Sequence, residues 1–342
     1  MEKMFLKLIS SAAVTIALSG VSYAESFKVA VLPNEIFQKG VEKNITIDSI
    51  NKHKVNFVIF GGDSKDGKSK CSNEIILDGV KNYFNKLYAP TLYSLGDNEW
   101  TDCHRTSNGS YDPLERLQKL RKTFFSKSTT QGKEPLKVER EGKLGEKFSE
   151  NSRLIHDNVM FIALHVVGSN NNMVATDKQC HKKSKRTAED CAKATDEYKE
   201  RNAANIKWLK ESFDIARKEK LAGVVLVSHA DIYFPYELSD HGYQEKFLPS
   251  LNDKNGFTDF FHTLDEETHN YPGQVVLLMG DSHYYKVDKA MFDKDGSLTN
   301  NFTRVETFGS KETSWVEIDV DPSSKNVFAF KPVTLPSLKK QH

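Results

Sequence analysis

The chain has 342 residues, with 48 lysines and arginines against 47 aspartates and glutamates and a formal net charge of +1. A balance this even excludes recognition by bulk charge and names no partner. Aromatic residues make up 11% of the sequence, ample for a large core.

The first residues, MEKMFLKLISSAAVTIALSGVSYAES, carry Lys3 and Lys7, then an apolar run from Ala12 to Leu18, then a small-x-small site ending at Ala24. They predict a secretory signal peptide over residues 1–24 and a periplasmic or secreted mature protein. No later segment approaches the ~20 apolar residues of a membrane span, so none is expected. Residues 25–342 read as a single domain. Losing Lys3, Lys7 and Glu2 leaves its charges balanced. Cys71, Cys103, Cys180 and Cys191 in an exported chain predict disulfides, with three pairings open on arithmetic alone.

Apolar, β-branched runs predict strands at 27–32, 55–60, 91–95, 159–167, 222–228, 274–279 and 314–320. Several are continuously apolar, as strands covered on both faces should be. Between them, SNEIILDGVKNYFNKL predicts a helix with Ser72 as N-cap. YDPLERLQKLRKTFF predicts another, with Asp112 as N-cap and Pro113 at the first helical position. A third runs from about Asp196 to Lys218, where Ile206, Leu209, Phe213 and Ala216 share a face. The lysine-rich stretch about 172–195 reads as a solvated surface insertion, and 126–150 as a long polar loop. The alternation argues for an α/β domain whose late segments add antiparallel strands.

GDSKDGKS, residues 62–69, matches the phosphate-loop pattern G-x-x-x-x-G-K-[ST] after a predicted strand. Two features argue against that function. Asp63 and Asp66 would face the phosphates with carboxylates, and the helical pattern begins only at Ser72 rather than at the Gly-Lys-Ser itself. No nucleotide cofactor is expected.

In α/β sheets, ligands gather at the carboxyl ends of the strands. There the sequence places Asp63; Asp97, Asn98 and Glu99; His229 and Asp231; and Asp281 and His283. Each alone is an ordinary turn or packing residue. Four separate strands delivering carboxylates and imidazoles to one edge supply the ligand types of a divalent metal.

The order of these motifs resembles the calcineurin-like metallophosphoesterases, and GDNEWTDCHR (96–105), LHVVGSNN (164–171), RNAANIKWLKE (201–211) and GDSHYYKVDK (280–289) resemble an exported bacterial subgroup. The resemblance spans nearly the whole mature chain. It implies a double-sheet sandwich flanked by helices and a small phosphorylated substrate. Asp63 would be the bridging carboxylate, with Asp97, His229 and Asp281 completing one metal position. Departures accompany it. PNEIF follows the first strand where the family carries Asp-x-His, and the family's proton-donating histidine falls on Asn98. The second metal position keeps only Asp63 and His283, so one ion is expected, with a weak second site using His283 or Asn34. Three carboxylates and one imidazole favour Mn²⁺, Mg²⁺ or Ca²⁺ over Zn²⁺.

On this reading His283 is the candidate for proton transfer and Asn98 a catalytic or phosphate-contacting amide. His104 and Arg105 lie close enough to reach an anionic substrate, and Asn170 and Asn171 either hold substrate or form a turn. Glu99 braces the metal loops and Trp100 packs. If the loops after Asp63 and Asp97 converge on one ion, Cys71 meets Cys103, and Cys180 with Cys191 closes the insertion. A catalytically inactive metal- or ligand-binding protein on the same fold is the alternative. No specific protein partner can be read from the sequence.

Overall fold

The computed structural model describes residues 25–38, 41–232 and 251–338; the expected signal peptide lies outside these residues. Numbered in chain order, its strands are β1 (Phe27–Val31), β2 (Phe37–Gln38), β3 (Val41–Glu42), β4 (Phe57–Phe60), β5 (Thr91–Tyr93), β6 (Glu139–Arg140), β7 (Ser152–His156), β8 (Val159–Ala163), β9 (Gly223–Val227), β10 (Gln274–Met279), β11 (Lys286–Asp288), β12 (Phe302–Glu306), β13 (Trp315–Val320) and β14 (Phe328–Val333).

They form a five-stranded sheet in the order β14-β13-β1-β4-β5, a seven-stranded sheet in the order β11-β12-β10-β9-β8-β7-β6, and the small pair β2-β3. Each large sheet has a parallel block: β1-β4-β5 runs to one edge of the five-stranded sheet with antiparallel strands on its other side, and β8-β9-β10-β12 is the centre of the seven-stranded sheet with antiparallel strands on both sides. Alternation along the strands explains why they read as continuously apolar. Val29, Val31, Phe57, Ile59, Phe161, Val225, Val276 and Val316 fill the space between the sheets. Ala30, Val58, Phe60 and Tyr93 face outward under the helices Asn44–His53, Val80–Phe84 and Pro113–Phe124. Met160, Ile162, Leu226 and Leu277 face the helices Ala188–Lys218 and Thr258–His269 on the other side. The result is the expected double-sheet α/β sandwich flanked by helices.

Helix boundaries follow local chemistry. Asp112 accepts from the Leu114 N–H and Pro113 opens its helix, as expected. The helix predicted from Ser72 instead begins with a π-helical stretch, Glu74–Gly79, before Val80–Phe84. Ser72 contributes its backbone carbonyl, which accepts from Ile75 and Ile76, and no side-chain cap is made. The third helix starts at Ala188, ahead of the expected Asp196, because Thr187 and Asp190 form a capping box. The stretch read as a solvated insertion is therefore partly helical, and it also contains the short helix Asp177–His181. Both expected disulfides are present, Cys71–Cys103 and Cys180–Cys191. Among the described residues, no helix is long and apolar enough to cross a membrane.

A buried polar network ties the Ala188–Lys218 helix to the end of β8. Arg121 donates two hydrogen bonds to Glu150, at 2.8 and 2.6 Å, and the His165 ring lies 2.8 Å from the same carboxylate. The His165 carbonyl accepts from Arg201 and Asn205 on the helix. The Arg121 and Glu150 side chains are only 6% and 1% exposed. Glu150→Ala would strand two buried basic groups, and is expected to destabilise the fold by about 3–5 kcal/mol in urea unfolding. An unchanged unfolding midpoint would contradict this account of the network.

Candidate metal centre

Asp63 follows β4, Asp97 follows β5, His229 follows β9 and Asp281 follows β10, so each sheet contributes two side chains at its carboxyl-end rim. Hydrogen bonds join the rims. Ser94 Oγ donates to the Leu164 carbonyl, Thr307 Oγ1 to that of Leu32, and His229 Nδ1 to that of Gly61 at 3.1 Å. The loops approach so closely that glycine is required at two points. A Cβ on Gly96 would lie 2.3 Å from the Asp63 amide nitrogen, and one on Gly62, whose φ is 101°, would lie 2.3 Å from the Gly96 nitrogen. Asp63 itself adopts a left-handed backbone, φ 52°.

The four side chains each offer one ligand atom, all within 4.8 Å of one another. His229 Nε2 lies 3.1 Å from Asp97 Oδ1, 3.4 Å from Asp63 Oδ1 and 3.5 Å from Asp281 Oδ1. An ion with ligands at about 2.1–2.4 Å sets opposite ligand atoms about 4.2–4.8 Å apart, so the spacing suits a divalent cation. Because the Gly61 carbonyl takes the proton on Nδ1, Nε2 is the nitrogen turned to the carboxylates, the orientation a metal-ligating histidine needs. Asp63, Asp97 and His229 are buried, while the Asp281 side chain is 34% exposed and marks the open side.

The electrostatics agree with that chemistry. Burial pushes the Asp63 carboxyl well above the usual range, and Asp97, Glu99 and Asp281 add to the push against the opposing effect of His229. Burial opposes ionisation of Asp97 too, but hydrogen bonds from His229 and Ser169 and the charges of His229 and Arg105 hold it at about 2. Burial alone would lower His229; Asp63, Asp281 and Asp97 instead raise it well above the ordinary histidine range. Proton binding at Asp63 and His229 is thus favoured in the absence of a cation, and a divalent ion would compete with it.

The surrounding residues divide into braces and open groups. Glu99 accepts from the Ser64 amide at 2.8 Å and from Tyr93 at 3.2 Å, the bracing role expected of it. Trp100 is fully buried in the core under the helices, the expected packing role. Asn98 donates from its backbone to Asp63 Oδ1 at 2.9 Å and from its side chain to Asp63 Oδ2 at 2.7 Å and the Lys65 carbonyl at 3.3 Å. Its amide therefore positions Asp63. His283, with φ 60°, lies outside the group of four, and its Nε2 is buried with no hydrogen-bond partner. Both amide atoms of Asn34 are likewise buried and unpaired. Asn170 and Asn171 spend their side chains on the loop's own architecture. Asn170 contacts Met173, Lys254 and Gly256, and Asn171 contacts Arg201, Val167 and Gly256. Arg105 pairs with Asp102 and donates to Ser169 Oγ at 3.3 Å, while burial and two nearby arginines hold His104 at about 3.

GDSKDGKS is not arranged as an anion cradle. The backbone N–H groups of Lys68 and Ser69 donate to Asp66 at 2.8 and 2.9 Å. Lys65 is fully buried, and its ammonium donates to the Asp66 carbonyl amid the carboxylates of Asp63, Glu99, Asp102 and Asp66. Two further residues escaped the sequence reading. Ser169 Oγ lies 2.7 Å from Asp97 Oδ2 and 2.8 Å from Asp102 Oδ1, linking a candidate ligand to a second buried acid. Ser169 stands in GSNN and Asp102 in GDNEWTDC, and only the tertiary fold brings them together.

Fold and site together define an α/β sandwich with a buried carboxylate–imidazole centre at the seam between its sheets. No protein-family model matches the chain, and no curated protein does. Solved structures similar to it include a 5'-nucleotidase from Candida albicans, with a TM-score of 0.45 at 14% identity, over 90% of this chain and 51% of that one. The sulfate thiohydrolase SoxB of Thermus thermophilus gives 0.39 and 15%, over 86% and 41%. The calcineurin-like phosphoesterase YfkN of Bacillus subtilis gives 0.39 and 11%, over 91% of each chain. The chain spans about half the length of the first two.

Proposed function

We propose that the chain is an exported, metal-dependent phosphoesterase with one principal ion, acting on a small phosphorylated substrate in the periplasm or outside the cell. The observation that carries this reading is the set of four ligand atoms from Asp63, Asp97, His229 and Asp281 within 4.8 Å of one another, at the rim where both sheets end. Three carboxylates favour Mn²⁺, Mg²⁺ or Ca²⁺ over Zn²⁺. A divalent cation held there supplies Lewis-acid polarisation of a phosphoryl oxygen and a nucleophilic water at neutral pH. Asn98 and Ser169 fix the orientation of Asp63 and Asp97 through the hydrogen bonds described above. Burial first of all keeps His283 below the ordinary histidine range, and its buried Nε2 has no protein partner, which leaves the ring as the candidate for proton transfer.

One observation favours the alternative, a metal- or ligand-binding protein without catalysis. The Asn98 amide is fully engaged by the protein and offers the substrate no free donor. Metal content after dialysis, followed by hydrolysis of p-nitrophenyl phosphate and bis(p-nitrophenyl) phosphate with Mn²⁺, Mg²⁺ or Ca²⁺, separates the two. One bound ion and turnover abolished by EDTA are expected. Bound metal without turnover selects the binding protein, and no stoichiometric metal removes the centre itself.

A further inference from the structure

Beside the centre lies a cavity of about 220 Å³, separated from Asp97 by one side chain, that of Ser169. Arg105, Lys182 and Arg186 line it, against the single carboxylate of Asp102. Asp102 is already paired with Arg105. Arg186 is half-buried, and its guanidinium donates to the carbonyls of Cys180 and Gln179, while Asp102 and Asp190 act on it through their charge without pairing with it. A partly desolvated guanidinium that is not paired directly with a carboxylate is costly, and an oxyanion relieves that cost with charge-assisted hydrogen bonds. Lys182 is exposed at the cavity wall.

The wall is built. Cys180–Cys191 closes the segment that carries Lys182 and Arg186, and that segment is docked on the loop following Asp97. The Thr106 amide donates to the Lys183 carbonyl at 3.0 Å, and Ser184 Oγ to that of His104 at 3.3 Å. A neighbouring cavity of about 290 Å³ shares His104 and Arg186 and adds Lys185 and Lys193, but Lys193 is paired with Glu189 and two carboxylates, Asp112 and Asp190, line it as well. The excess of positive over negative side chains is greater in the inner cavity.

We infer that this inner cavity binds an oxyanion, and that the substrate carries a second phosphate or carboxylate group some bonds away from the reacting ester. The assignment of the cavity stands on its own geometry; the assignment of the substrate class rests on the phosphoesterase reading above.

Two measurements test it on the chain from residue 25 onward. Inorganic phosphate, titrated calorimetrically after exhaustive EDTA treatment, is expected to bind saturably at low ionic strength. Lys182→Glu should weaken that binding about tenfold or more, whereas Lys178→Glu, the same charge change on an exposed lysine outside the cavity, should alter it by less than about twofold. Absent saturable binding, or equal weakening in both variants, overturns the cavity. With Mn²⁺ restored, fructose 1,6-bisphosphate should show a KM about tenfold below that of fructose 6-phosphate, a preference that Lys182→Glu removes and Lys178→Glu retains. Equal KM values in the parent overturn the substrate class. If the parent hydrolyses neither compound, the phosphoesterase reading falls while the phosphate titration still decides the cavity.

Discussion

Asp63→Asn is expected to release the bound cation and lower phosphate-ester turnover by about a thousandfold or more, the scale of losing a Lewis acid that stabilises transition-state charge by several kcal/mol. Asp63 is the residue on which the centre converges. One oxygen lies 3.4 Å from His229 Nε2 and accepts from the Asn98 backbone; the other accepts from the Asn98 side chain. The asparagine keeps the shape, and Asn98 can turn its amide to meet it. Folding should therefore survive. Because burial raises the Asp63 carboxyl, its contribution to metal-free stability is present below the unfolded aspartate range and lost as pH rises toward the folded value. The metal-free variant should accordingly lose less thermal stability than the metal-free parent as pH is raised from 5 to 8. Metal analysis, initial rates and thermal unfolding in EDTA check the three parts. Stoichiometric metal with undiminished turnover in the variant would remove Asp63 from the centre.

Removing the Cys71–Cys103 disulfide by paired serine substitution should cost about 3–4 kcal/mol and weaken metal binding about tenfold or more. The bridge joins the loops that carry Asp63 and Asp97, its sulfurs are fully buried, and it closes a separation of 32 residues. Arg116 adds a hydrogen bond to the Cys71 carbonyl at 3.0 Å, so the loops should loosen rather than unfold. Cys180–Cys191 provides the contrast. It spans 11 residues and pins only the wall of the anion cavity. Its removal should cost about 2–3 kcal/mol and leave the affinity for Mn²⁺ nearly unchanged. Urea unfolding and metal titration of the two double variants decide the matter. Equal metal affinities would show that the first bridge does not set the spacing of the ligands.

Much of this arrangement was legible because its signals are local. Continuous β-branched runs mark buried strands, and a Gly-Asp or a histidine directly after a run is placed by the strand that precedes it. Asp63, Asp97, His229 and Asp281 were found in that way. What was hidden depends on contacts distant in sequence. Lys65 looks like a loop lysine until Glu99 and Asp102 are brought around it. Asn98 looks available until Asp63, 35 residues away, takes its hydrogen bonds. The long helix buries Arg201, Asn202 and Asn205, polar residues that weaken its apolar stripe, and its start was concealed in a lysine-rich stretch although Thr187 and Asp190 supply a local cap. The sequence also suggested one strand edge, whereas the ligands come from two sheets.

That division has a consequence for folding. Neither sheet alone can assemble the centre, since each brings only two of the four side chains to the seam. A cation there would act as a rivet through the sandwich, its binding energy falling on the docking of one half against the other. Occupancy would thus report on assembly: a chain with one sheet formed and the other loose would have no place to hold an ion.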